Sequence, residues 1–133
     1  MSARRIRAGL AAALLACGPV SAHHSYAMFD FRQSLTLNGV VREFQWTNPH
    51  CFLQVVVTEQ GANKEWSVEM SAPADIYRKG WRPGSLKPGD RVAVTIHPDR
   101  DGSSGGTYVS ALGPDGKPMF PDPTPPPPPP PPS

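Results

Sequence analysis

The sequence predicts a mainly β protein: a small five-stranded Greek-key barrel with one short helix between the third and fourth strands. Three observations carry this reading. Five short runs alternate apolar and polar residues with a period of two, the pattern of a strand with one buried face. Gly, Pro, Asn and Asp cluster between those runs, where turns need them. One stretch alone, residues 73–79, carries helix-terminus signals.

The first strand is expected over residues 35–46. Leu35 and Leu37 share a face, and after Gly39 the apolar parity passes to Val40, Phe44 and Trp46. A one-residue slip at a glycine predicts a β-bulge there. The second strand, 51–58, points Cys51, Leu53, Val55 and Val57 one way and His50, Phe52, Gln54, Val56 and Thr58 the other. A turn over Gln60-Gly61-Ala62-Asn63 leads to the third strand, 65–70, with Trp66, Val68 and Met70 inward. Pro73 suits a first helical turn, Asp75 the positive end of the helix, and Arg78 and Lys79 its negative end; Gly80 supplies a left-handed exit. Trp81 then anchors on the barrel. A turn-rich lead, residues 84–90, precedes the fourth strand, 91–97, with Val92, Val94 and Ile96 inward. A polar loop, 98–106, separates it from the fifth, 107–112. Three strands, a helix and two strands is the order of the oligonucleotide/oligosaccharide-binding (OB) barrel. A mostly antiparallel sandwich of the same strands is the alternative.

The ends of the chain read differently from its middle. Arg4, Arg5 and Arg7, an apolar stretch from Ala8 to Cys17, and small residues up to Ala22 make residues 1–22 a secretory signal peptide, with cleavage expected at Ala22/His23 and a periplasmic or secreted product. Leu14-Leu15-Ala16-Cys17 offers a rival route, a lipobox that leaves Cys17 as a lipid anchor. Residues 23–34 form an N-terminal arm whose Tyr26, Met28, Phe29 and Phe31 dock it on the domain. The barrel domain is expected over 35–118. Residues 119–133 are a proline-rich tail expected to be disordered, ending in eight consecutive prolines before Ser133.

Charge and cysteine content exclude several classes of function. The whole chain has 13 Lys and Arg against 11 Asp and Glu, but three of its arginines leave with the signal. The remainder is slightly acidic and has no electrostatic reason to bind nucleic acid. Of the 2 cysteines only Cys51 persists, so an internal disulfide is impossible, and Cys51 reads as a small buried hydrophobe. No segment of the mature chain is long and apolar enough for a transmembrane helix.

Several motifs recur together: Ala22-His23-His24-Ser25, Phe29-Asp30, Leu37-Asn38-Gly39-Val40-Val41, Trp46-Thr47-Asn48-Pro49-His50 and Leu86-Lys87-Pro88-Gly89-Asp90-Arg91-Val92. In these the chain resembles a domain-of-unknown-function family of small exported bacterial proteins, over residues 23–112. The resemblance implies export and a small β-rich domain. It brings no established activity, so no catalytic residue is carried over from it.

The four histidines are the candidate chemistry. In an OB-like barrel the loops joining strands one to two and four to five border the usual ligand face. His50 ends the first loop and His97 begins the second, both on outward parity, while the arm brings His23 and His24. Cleavage before His23 adds a free amine, which with the His23 imidazole chelates one metal ion; a histidine from elsewhere completes a three-nitrogen site. Such donors suit Cu(II) first, then Zn(II) or Ni(II). His23 and His50 lead this candidate set, followed by His24 and His97. The plain alternative is structural: His50 and His97 pin their turns through backbone carbonyls. Trp46 and Asn48 mark the rim of a ligand face for a second function, an interaction module that binds an envelope protein, peptide or glycan without metal. Asp99, Asp101 and Ser103 lack the later glutamate of a calcium loop and read as a solvated turn. Ser25 beside His24 has no oxyanion hole or third member, and no catalytic constellation is visible anywhere in the chain.

Overall fold

The computed structural model describes residues 26–120. After a 3-10 turn at Tyr26–Met28 come β1 (Leu35–Gln45), β2 (Phe52–Glu59), β3 (Ala62–Glu69), the helix α1 (Pro73–Arg78), β4 (Arg91–Pro98) and β5 (Gly105–Leu112). The strands close into a barrel in the order β1-β2-β3-β5-β4, with β4 returning to β1. The β3–β5 pairing is parallel and the others are antiparallel. This is an OB-like barrel, as expected from the element order.

The inward parity of three strands is as the sequence pattern gives it. Cys51, Leu53 and Val55 from the β2 run, Val68 from β3, and Val94 and Ile96 from β4 are wholly buried. Strand β1 departs from its expectation. The inward series runs through Gly39 to Val41, which is buried, while Val40 is exposed. The register slips between Val41 and Glu43 instead, so Arg42 is the extra residue. The physical reason is a division of labour. Residues Leu35 to Val40 pair with β4 and Val40 to Gln45 pair with β2, while Val41 exchanges 2.8 Å hydrogen bonds with Gly89 and Asp90 in the loop before β4. The bulge falls just past this handover and re-aims the strand. Gly39 is required for closeness rather than for a bulge: a Cβ there meets the Val56 carbonyl oxygen and lies 2.7 Å from Val55 Cγ1.

The β2–β3 turn is tighter than expected. Gln60 (φ 50°) and Gly61 (φ 78°) alone form it, a two-residue turn with both residues left-handed, which matches the twist of a hairpin. Ala62 and Asn63 therefore join the ladder, opposite Glu59 and Thr58.

Helix α1 ends as its residues predict. Gly80 takes φ 107°, its N–H bonds the Tyr77 carbonyl, and the Trp81 N–H reaches back to the Ile76 carbonyl, a Schellman closure. That closure points Trp81 into the barrel, where it is wholly buried with Ile76 and Leu86 around it in the core cluster. Tyr108, Phe44 and Phe120 pack their rings against it at 5.6–5.9 Å.

The N-terminal arm is held by fewer anchors than its composition suggests. Phe29 is buried, but Tyr26 and Met28 stay exposed. Backbone bonds do much of the work: Asp30 N–H to the Pro98 carbonyl at 2.8 Å and Arg100 N–H to the Met28 carbonyl at 2.8 Å. No described helix is long and apolar enough to cross a membrane.

Candidate functional site

The loop between β1 and β2 is built around Trp46-Thr47-Asn48-Pro49-His50. The Asn48–Pro49 peptide is cis. Thr47 Oγ1 donates to the His50 carbonyl at 2.8 Å. Immediately afterwards Cys51 exchanges backbone bonds with the end of β3, its N–H to the Ser71 carbonyl and its carbonyl to the Met70 N–H. This stitching sets His50 beside the last residue of β3. There His50 Nδ1 lies 2.5 Å from Glu69 Oε1, with the two side chains 32% and 21% exposed. A carboxylate accepts, so Nδ1 carries the proton and the ring's lone pair resides on Nε2 in the neutral form.

The ladder extends this site across the sheet. Phe52 pairs with Glu69, Glu69 with Thr107, and Thr107 with His97. His97 therefore sits on the same row as Glu69, two strands away, roughly 10 Å along the sheet. Its ring is engaged locally. Nδ1 donates to the Gln33 carbonyl at 2.6 Å, and Phe31 packs against it edge-on at 5.1 Å. His97 pins the arm where it leads into β1. Among the described residues, no three His, Cys, Asp or Glu side chains gather closely enough to hold a metal ion. The structure thus brings His50 together with Glu69 and holds His97 against the arm. His23 and His24 lie outside the described residues, as do the cleavage position, Cys17 and the proline run.

Trp46 is half-buried, edge-on to Phe44 at 5.8 Å, and packs against the core. Asn48 is exposed at the tip of the loop. Between the arm, strands β2 and β3 and the β4–β5 loop lies a hollow of about 260 Å³, with Met28, Phe29, Phe52, Ser67 and Glu69 in its walls. The arm thus crosses the face on which an OB barrel receives ligands.

Two acidic groups stabilise the surrounding turns. Asp30 accepts from the Arg32 side chain and backbone and from Gln33 Nε2. The Arg32 hydrogen bonds hold its carboxyl below the usual carboxylate range. In the β4–β5 loop, Ser103 N–H donates to Asp101 Oδ1 at 2.9 Å and Ser103 Oγ to Asp99 Oδ2 at 2.8 Å. Ser103 likewise lowers the Asp101 carboxyl.

Glu69 is the site residue that sequence reasoning did not single out. Its outward parity in the third strand was legible, but its partnership with His50 depends on the β2–β3 register. Gln33 was hidden for a similar reason, since its backbone carbonyl, not its side chain, meets His97.

Comparison with curated proteins finds no match to the chain, and comparison with solved structures finds none either. A family match covers residues 12–109. That span takes in the arm, the Trp46–His50 loop and nearly the whole barrel, and on it the chain belongs to the family of unknown function DUF6152.

Proposed function

We propose that the protein is an exported metal-binding barrel that holds one Cu(II) ion through the His23 amine and imidazole together with His50, and serves in metal handling rather than turnover. The observation that carries this is the 2.5 Å contact between His50 Nδ1 and Glu69 Oε1. A carboxylate on the far nitrogen is the usual support of a metal-ligating histidine: it fixes the tautomer and presents the other nitrogen as the ligand.

Chain reach supports the rest of the donor set. Met28 lies in the wall of the same hollow as Glu69, and the three residues from Tyr26 back to His23 span about 10 Å when extended. Signal cleavage at Ala22/His23 supplies the terminal amine. An amine and two imidazoles form a nitrogen set that favours Cu(II) over the other divalent ions. His24 is the next available donor. His97 is assigned to the arm instead, through Gln33 and Phe31.

The test is metal analysis of protein purified from the export compartment, with intact mass recorded on the same sample. A mass beginning at His23 with near-stoichiometric copper supports the proposal. A His23 terminus that holds no copper and takes up none on titration overturns it, as does an acylated Cys17 terminus.

A further inference from the structure

Met28 differs from the other sulfur-bearing side chains among the described residues. Cys51 and Met70 are buried in the core, and Met119 packs against it. Met28 is 47% exposed, although its composition marks it as an anchor of the arm. The anchoring is done by its neighbours. Phe29 is buried and bridges to Asp99, and the Arg100 N–H donates to the Met28 carbonyl at 2.8 Å. The backbone of Met28 is therefore held while its side chain stays accessible.

Met28 lines the hollow whose walls also contain Phe52 and Glu69. At about 260 Å³ the hollow is smaller than a usual small-molecule pocket of roughly 300–1,000 Å³. An organic ligand needs more room, whereas a metal ion needs only donor atoms. Glu69 holds the His50 ring through Nδ1, so Nε2 is the nitrogen left to face a metal. Methionine is unbranched, with three rotatable bonds and a polarisable thioether, so Sδ can swing across a space this narrow.

We infer that Met28 Sδ is a ligand for reduced copper, and that the protein takes Cu(I) as well as Cu(II) at the same place. The inference rests on the copper reading above and extends it to the second oxidation state. Soft thioethers select Cu(I), whereas imidazole and amine nitrogens suit Cu(II). His50 serves both ions, and Met28 adds a donor that only the reduced one prefers. The ion arrives already reduced, so no electron is exchanged with the protein.

The experiment compares the exported protein with its Met28→Leu variant, which keeps the apolar bulk and loses the sulfur. Cu(I) is supplied anaerobically with excess ascorbate, and its affinity is read by competition with a Cu(I)-specific chelator. Cu(II) is titrated separately without reductant. X-ray absorption of the Cu(I) form reports whether sulfur is bound. The expected result is a sulfur scatterer in the parent that is lost in Met28→Leu. Cu(I) binding is expected to weaken by at least about tenfold in the variant, no less than the loss of an outer support costs, with Cu(II) affinity within about twofold of the parent. The inference is overturned if the parent binds no Cu(I), if its Cu(I) has no sulfur neighbour, or if Met28→Leu binds Cu(I) as tightly. Equal weakening of both ions also overturns it, since Met28 then only holds the arm. A parent that refuses Cu(II) yet holds Cu(I) through the Met28 sulfur overturns the amine-and-imidazole site instead and supports this inference.

Discussion

Glu69 accepts a hydrogen bond from His50 Nδ1 at 2.5 Å, joining the last residue of β3 to the loop residue just ahead of β2. The two belong to neighbouring strands, and Phe52 stands opposite Glu69 in the ladder. Replacing the carboxylate with an amide keeps an accepting oxygen against Nδ1 but removes the negative charge that makes the ring a stronger ligand. Glu69→Gln is therefore expected to weaken Cu(II) binding by about 10–100-fold, the usual cost of losing such a support. His50→Ala is expected to weaken it further. Competition with a calibrated copper chelator measures both. A Glu69→Gln variant with unchanged affinity removes His50 from the metal site.

His97 gives the opposite expectation. Its Nδ1 bonds the Gln33 carbonyl at 2.6 Å and its ring meets Phe31, two contacts that secure the arm. His97→Ala is expected to leave Cu(II) affinity within about twofold of the parent, since its row position is distant from Glu69. It is expected to cost about 1 kcal/mol through the lost hydrogen bond, read as a fall of several degrees in Tm for a domain this size. A large loss of copper affinity with no change in Tm would return His97 to the ligand set.

The reach of sequence reasoning can be seen in particular residues. The positions and the inward faces of β2, β3 and β4 follow from alternation, because a period of two has only two phases and one of them is apolar. The exit of α1 at Gly80 and the burial of Trp81 were equally legible, since both depend on a few adjacent residues. The bulge lies at Arg42 and not at Gly39, because Leu37, Val40 and Phe44 suggest a slip that only the shared pairing of β1 locates. The hairpin turn is shorter than its composition suggests, because Ala62 and Asn63 join β3 but carry no apolar signal. His50 and His97 were placed on one face by parity, but their separate partners, Glu69 and Gln33, are products of tertiary register. No local pattern encodes a backbone carbonyl arriving from elsewhere in the chain.

The tight approach at Gly39 makes a packing prediction. A methyl group there meets the Val56 carbonyl and comes within 2.7 Å of Val55 Cγ1, both in β2. Backbone atoms in a closed barrel have little room to withdraw. Gly39→Ala is expected to destabilise the protein by about 1–3 kcal/mol. Gly84→Ala is the matched control: nothing lies within 4 Å of a Cβ at that position, and it is expected to stay within about 0.5 kcal/mol of the parent. Urea unfolding of the two variants side by side measures the difference. Equal midpoints would mean that β1 and β2 are not packed as closely as described.

Acid is expected to release the arm before it unfolds the barrel. Arg32 hydrogen bonds, with Gln33 adding to them, hold the Asp30 carboxyl below its ordinary value. A carboxyl depressed in the folded state stabilises that state above its unfolded value, near about 3.9, and the contribution is lost as pH falls through the lower folded value. The Asp30 bonds close the turn that follows Phe29, and the Asp30 N–H ties the same turn to Pro98. Below about pH 4, then, the amides of residues 26–33 should exchange hydrogen faster while those of β2 and β4 stay protected. Asp30→Asn cannot titrate, so its arm should exchange faster at neutral pH and gain little further on acidification. Hydrogen exchange read at peptide level across a pH series separates the two cases. An arm that loosens equally with pH in the parent and in Asp30→Asn would place the acid-sensitive group elsewhere, with Asp101, lowered by Ser103 in the neighbouring loop, the first to examine.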